Sequence, residues 1–181
     1  MQIPARYFLA ACFIILSTAS VWAQPYATRI KTRALEMSRL LVAGDYTAYV
    51  AYMHPKLRAS EADQSQIRAA LDSVDKYRKQ FGIKVSKVVL GNPTPVVRQG
   101  EVLQSALLQT TTLQSVMGSI TTENAWIAFS EDGGTTWYFA DAASYEQLRK
   151  HKDLPLRSRK LQIPTIKPPQ ITPAAGLQLP K

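Results

Sequence analysis

The stretch DKYRKQFGIKVSKVVL, Asp75–Leu90, contains a change of period. Up to Phe81 the apolar residues recur at helical spacing: Ile67, Ala70, Leu71, Val74, Tyr77 and Phe81 form one stripe. After Gly82 the run from Ile83 to Leu90 is β-branched and reads as a strand. Gly82 closes the helix, and its tolerance of positive φ suits a helix stop. Ser60-Glu61-Ala62-Asp63 resembles a capping box, so this helix is predicted to open at Ser60 and bury its stripe.

Working toward the N-terminus, Ile30, Ala34, Met37 and Leu41 predict a first helix over Ala27–Ala43, with Leu40 beside the stripe. Gly44 stops it, and Asp45 caps a short second helix over Asp45–Met53. Pro55 ends that helix by disfavouring helical backbone at His54. Toward the C-terminus, a turn at Gly91–Pro95 leads to a short strand at Val96-Val97 and a turn at Gln99-Gly100. A long strand over Glu101–Met117 follows, with Leu103 and Leu107 alternating and the phase less clean after Gln109, which predicts a bulge there. Gly118-Ser119 reads as the next turn, then strands over Thr121–Ser130 and Thr136–Ala140, and a short helix from Asp141 to Arg149. The fold class is therefore α+β: three N-terminal helices packed on one face of a curved antiparallel sheet, with a short C-terminal helix.

The two ends differ from this middle. Arg6, an apolar run from Tyr7 to Leu16 and Val21-Trp22-Ala23 form a secretory signal with cleavage between Ala23 and Gln24, giving a signal segment over 1–23. The run falls short of the roughly 20 residues a membrane span needs, and the remaining chain has no longer one. A lipoprotein reading at Cys12 requires cutting a signal whose apolar stretch continues past it as Phe13-Ile14-Ile15-Leu16, and it is set aside. Cys12 is the only cysteine, so a chain cut after Ala23 has no disulfide and no thiol chemistry. Six of the eleven prolines lie from Pro155 onward, and residues 151–181 read as an extended or disordered basic tail beyond a domain at 24–150. From Lys150 there are seven basic residues against Asp153 alone, whereas Gln24–Arg149 has fourteen basic and twelve acidic. The formal charge of +9 is thus mostly tail. A nearly neutral domain argues against nucleic-acid binding, and the tail suits anionic surfaces or serves as a solvated linker.

Gly44-Asp45-Tyr46, with Tyr49, Tyr52, Met53, His54 and Pro55 after it, resembles a passage at the end of the second helix in the nuclear-transport-factor-2-like superfamily. The resemblance spans about Ala27–Ala140. It implies a cone of bent sheet over helices with a pocket at the wide end, and dimers made through the sheet. The superfamily hosts isomerases, dehydratases, polyketide cyclases and non-catalytic modules, so function does not follow from fold. Ser130, Asp132, Gly134 and Trp137 fit the S-x-D-x-G-x-x-W pattern of the Asp-box of sialidase-like propellers, where it is a structural turn. A propeller needs several blades of about four strands, and this chain has one box.

Chemistry-bearing residues are few. His54 is the one candidate general base, with contact to helix-end carbonyls as the plainer role. His151 sits at the tail junction, and Asp72 and Asp75 lie among Lys76, Arg78 and Lys79 on a solvated helix face. Glu123 is costly if it points inward without a partner. No metal-ligand spacing, phosphate loop or nucleophile elbow is present, so no cofactor is expected. Tyr46, Tyr49, His54, Tyr77, Trp126 and Tyr138 are the candidate pocket lining. The leading expectation is a non-catalytic envelope module binding a small apolar ligand or a protein. A pocket enzyme with His54 as base and an adaptor acting through its basic tail are the alternatives. If the signal reading holds, the intact mass of the exported protein corresponds to a chain beginning at Gln24; a mass that retains residues 1–23 or a lipid on Cys12 contradicts it.

Overall fold

The computed structural model describes residues 23–174. The signal segment, Cys12 and residues 175–181 lie outside them. The described chain is α+β, an open antiparallel six-stranded sheet with four helices. Helix α1 spans Ala23–Ala43, α2 Tyr46–Val50 and α3 Glu61–Gln80, with a 3-10 turn at Pro55–Arg58 between α2 and α3. The strands are β1 (Lys84–Leu90), β2 (Val97–Gln99), β3 (Val102–Ser115), β4 (Gly118–Ser130) and β5 (Tyr138–Asp141). Helix α4 (Tyr145–Lys152) and β6 (Gln170–Pro173) follow. The sheet order is β1-β3-β4-β5, with β2 also on β3 and β6 also on β4.

The sheet has an apolar cover on both faces. On one face Leu103, Leu107, Trp126, Ala128 and Phe139 meet Ile30, Ala34 and Met37 of α1 and Tyr49 and Val50 of α2. On the other, Ala106, Ile127, Phe129 and Ala140 meet Leu57, Tyr145 of α4, and Leu154 and Leu161. Strands covered on both sides have no polar-out alternation, which explains the six consecutive buried residues at the end of β4. The chain passes from one face to the other at the β5 edge. Met53 bridges Phe139 in parallel, His54 N donates to Phe139 O at 2.9 Å, and Phe139 N donates to Tyr52 O at 2.9 Å.

Four expectations need correction. First, the stripe on α3 is not buried: Val74, Tyr77 and Phe81 are each more than half exposed, because α3 packs on α2 and the 3-10 turn and not on the sheet. Only Ile67 and Leu71 reach the core margin. Second, β3 and β4 pair without interruption from Leu103–Ser130 to Ser115–Gly118. The irregularity lies on β1 at Ser86, whose Oγ donates to Thr112 O. Third, the β3–β4 turn is Val116-Met117, and Gly118 opens β4. Its φ of +128° and the Thr172 carbonyl oxygen, 2.2 Å from where a Cβ would sit, require glycine there. Fourth, the tail is extended, as its prolines dictate, but it is fixed to the body at two places, while most of residues 162–172 are exposed. Leu154, Ser158 and Leu161 are buried and Gln170–Pro173 pair with β4.

Burying Leu154 and Leu161 explains why a proline-rich segment stays on the body: their transfer from water offsets the entropy of fixing the chain. Leu154→Ala and Leu161→Ala are each expected to lower the unfolding free energy by about 2–4 kcal/mol in urea titration. Changes below about 0.5 kcal/mol in both would mean the segment does not seal the second face.

Candidate functional site

His54 sits where the chain crosses the sheet edge. It is 1% exposed, packed edge-on against Phe129 at 5.5 Å and Tyr138 at 6.5 Å between ring centres. Its Nδ1 accepts from Lys56 N at 3.3 Å, which caps the 3-10 turn and leaves the proton on Nε2. Nε2 faces Glu131 Oε1 at 3.4 Å, within ion-pair distance but without hydrogen-bond alignment. Burial lowers the His54 pKa below the usual histidine value, and the Glu131 carboxylate partly restores it. A base must touch its substrate, and His54 is enclosed by its own fold. Its side chain accepts one hydrogen bond, from the following turn, and makes an ion-pair contact with Glu131, not with helix-end carbonyls.

The aromatic candidates do not share a cavity. Tyr46 and Tyr49 are buried in the α2 contact, and burial, aided by Asp141, pushes the Tyr49 phenol up to about 12. Trp126 is buried against Leu107, with its Nε1 donating to Gln109 Oε1 at 3.2 Å. The same oxygen accepts from Ser38 Oγ of α1 at 3.0 Å, so Gln109 ties helix and sheet together. Tyr77 lies on the exposed face of α3, its ring 4.6 Å from that of Phe81. Tyr138 is half-buried on the opposite face of the sheet, under the Arg58 guanidinium at 5.8 Å. Glu123 accepts from Lys167 N of the C-terminal segment at 2.9 Å, and His151 is exposed.

The Asp-box residues form a closed turn. Asp132 Oδ1 accepts from Ser130 Oγ, Thr135 N and Thr136 N at 2.7, 3.1 and 2.9 Å. Burial raises the Asp132 pKa, but the donors from Thr136, Ser130 and Thr135 outweigh it and lower it to about 2. Ser130 Oγ also accepts from Gly134 N, and the buried Trp137 donates from Nε1 to Gly134 O at 3.1 Å. Helix α1 clasps this turn: Tyr26 OH donates to Gly133 O, and Arg29 donates to Gly134 O. A Cβ on Gly134 would lie 2.1 Å from the Tyr26 ring, and its φ is +91°. The Asp132 and Ser130 side chains serve the turn's own geometry, as in a structural hairpin.

Open clefts lie elsewhere. One of about 500 Å³ runs between α1 and the Asp-box turn, walled by Arg29, Arg33, Glu36, Thr135, Thr136 and Trp137. An apolar one of about 330 Å³ lies between α1 and β1, walled by Leu35, Val42, Val85 and Val88. Two more, of about 660 and 430 Å³, share Leu156–Arg159 of the C-terminal segment. None of Tyr46, Tyr49, His54, Tyr77, Trp126 or Tyr138 walls these four clefts. Among the described residues no His, Cys, Asp or Glu cluster could hold a metal ion, and no helix is long and apolar enough to cross a membrane. Comparison with protein families and with curated proteins finds no match.

Glu131, Gln104 and Gln109 were not singled out in the sequence. Their signal is indirect: polar residues inside or beside a strand covered on both faces need partners. With a lowered folded-state pKa, His54 contributes stability that is fully present above the unfolded value near 6.5 and lost as pH falls through its folded pKa. In a proton NMR titration the His54 midpoint should lie below the ordinary histidine value. Glu131→Gln should move the His54 midpoint further down, since the carboxylate raises it. A midpoint that stays fixed or rises in this variant refutes the contact.

Proposed function

We propose that this protein is an exported, non-catalytic binding module of nuclear-transport-factor-2-like plan, and that its principal partner is a protein. The observation that carries the reading is a filled interior beside an exposed apolar helix. Met37, Leu107, Trp126, Trp137 and Phe139 pack the space between α1 and the sheet, where a cone of this plan would hold a ligand. Val74, Tyr77 and Phe81 meanwhile form a helical stripe facing water, at 57%, 59% and 52% exposure. Contiguous exposed apolar side chains at helical spacing mark protein contact more than solvation. Asp75, paired with Arg78 at 2.8 Å and Lys79 at 2.6 Å, gives the stripe a polar rim.

The helix order before the sheet supports the family reading, and Val21-Trp22-Ala23 supports export. A dimer through the sheet meets an obstacle, because the apolar half of the second face is already covered by α4 and Leu154–Leu161. The enzyme reading is weakened by the enclosure of His54. A small apolar ligand retains one supporting observation, the cleft between α1 and β1, whose volume is at the lower end of ligand sites.

The test is a photo-crosslinking amino acid placed at Tyr77 and, as control, at the exposed Lys76 neighbour Asp72. In the native host, position 77 should yield a discrete protein adduct that position 72 does not, and native mass spectrometry of the purified protein should show no retained small molecule. Equal labelling at both positions, or a stoichiometric small ligand lost on Val85→Asp, would overturn the reading.

A further inference from the structure

The C-terminal segment fixes a cluster of cations on one side of the molecule. Gln104 is fully buried; its Nε2 donates to Leu156 O at 2.7 Å and its Oε1 accepts from Ser158 N at 2.9 Å. Leu161 N donates to Ser158 O at 3.1 Å and Lys160 N to Ser158 Oγ at 3.3 Å, closing a turn over Ser158–Leu161. With Leu154 and Leu161 buried on either side, the stems of Arg157, Arg159 and Lys160 leave from a backbone that is held in place. Arg149 of α4 and Arg98 of β2 complete the walls of two clefts that meet over Leu156–Arg159.

Charge there is strongly one-sided. Glu146 is the single carboxylate in the walls, and Arg149 Nε at 3.2 Å and Arg157 Nε at 3.4 Å share it. Arg98, Arg159 and Lys160 make no salt bridge among the described residues. Four of the five cations are arginines, whose planar forks bind phosphate through two parallel bonds. Between them Leu156 is 60% exposed and stands in both clefts. A soluble polyanion would have no use for that side chain. A bilayer would, since an aliphatic residue enters the headgroup layer while flanking arginines stay with the phosphates.

We propose that this face docks on an anionic phospholipid bilayer, with headgroup phosphates in the two clefts and Leu156 in the interfacial layer. This goes beyond the protein-binding role of α3 and does not rest on it. The lipid face uses the second side of the sheet and the C-terminal segment, so both surfaces can be occupied at once.

The purified exported protein is tested by flotation with vesicles of phosphatidylcholine, alone or mixed with phosphatidylglycerol. Wild type should float with mixed vesicles and release as salt rises. Arg159→Glu/Lys160→Glu changes two exposed, unpaired side chains and should weaken partition at least about 20-fold, at about fivefold for each cation lost. Arg98→Gln, on another strand, should weaken it about fivefold and keeps the test open should the double variant misfold. Leu156→Ser should weaken partition with an unchanged salt slope. Lys76→Glu/Lys84→Glu, equal in charge change but on α3 and β1, should float as wild type. An equal loss in that control would reduce the effect to net charge and overturn the site. Full sensitivity to inorganic polyphosphate with no effect of Leu156→Ser would assign a soluble polyanion and overturn the lipid assignment.

Discussion

The half of the β3–β4 pair formed by Leu103–Leu107 and Ala125–Ser130 is buried on both of its faces, and neither face there tolerates water. Leu107 and Trp126 stand opposite one another on one side; Ala106 and Ile127, one position along, stand opposite one another on the other. All four are 7% exposed or less. A hairpin of this kind needs two covers, each removing apolar area from water at roughly 25 cal/mol per Å². Helix α1 supplies the first cover. The second is assembled from the 3-10 turn, α4 and Leu154–Leu161. The edge crossing at Met53-His54 follows from this demand, because Leu57 serves the second face while α2 serves the first.

Polar groups inside the sandwich align the layers. Gln109 holds Trp126 and Ser38 on the α1 side, and Gln104 holds the backbone of Leu156 and Ser158 on the other. Ser105 donates to Thr94 O at 2.7 Å, which keeps the irregular crossing before β2 against β3. A buried amide left without its partner costs about 1–3 kcal/mol, so each of these groups disfavours a shifted alignment. Hydrophobic area alone would permit several such alignments. His54 belongs to the same class: it caps a turn through Nδ1 and packs through its ring, and its reactivity is subordinate to both.

The order of helices and strands was legible because period and punctuation are local properties. Asp45 and Ser60 cap the helices expected of them, and Gly82 terminates α3 in positive φ. The capping box at Ser60 and Asp63 is fully formed. What could not be read was which apolar stripe finds a partner. Val74, Tyr77 and Phe81 recur at helical spacing just as Ile30, Ala34 and Met37 do, yet one stripe faces water and the other the sheet. That choice belongs to tertiary packing. The C-terminal segment was misread for a related reason. Its prolines exclude helix and central strand, which is true of the conformation it adopts, but they do not exclude burial of the leucines between them. Of the candidate site, the residue types were visible in sequence, whereas their separation onto two faces and an outlying helix was not.

Apart from Leu57 of the 3-10 turn, the second cover of the sheet lies downstream of β1–β5. Gln104 finds its partners 52 and 54 residues later in the chain. Until Leu154 and Leu161 are in place, Phe129 and Ile127 are covered only in part, by His54, Leu57 and Tyr145. Closure of so distant a loop is slow compared with formation of the β3–β4 hairpin. The second face is therefore sealed by residues that follow nearly all of the strands beneath it, so its full burial waits on delivery of the C-terminal segment.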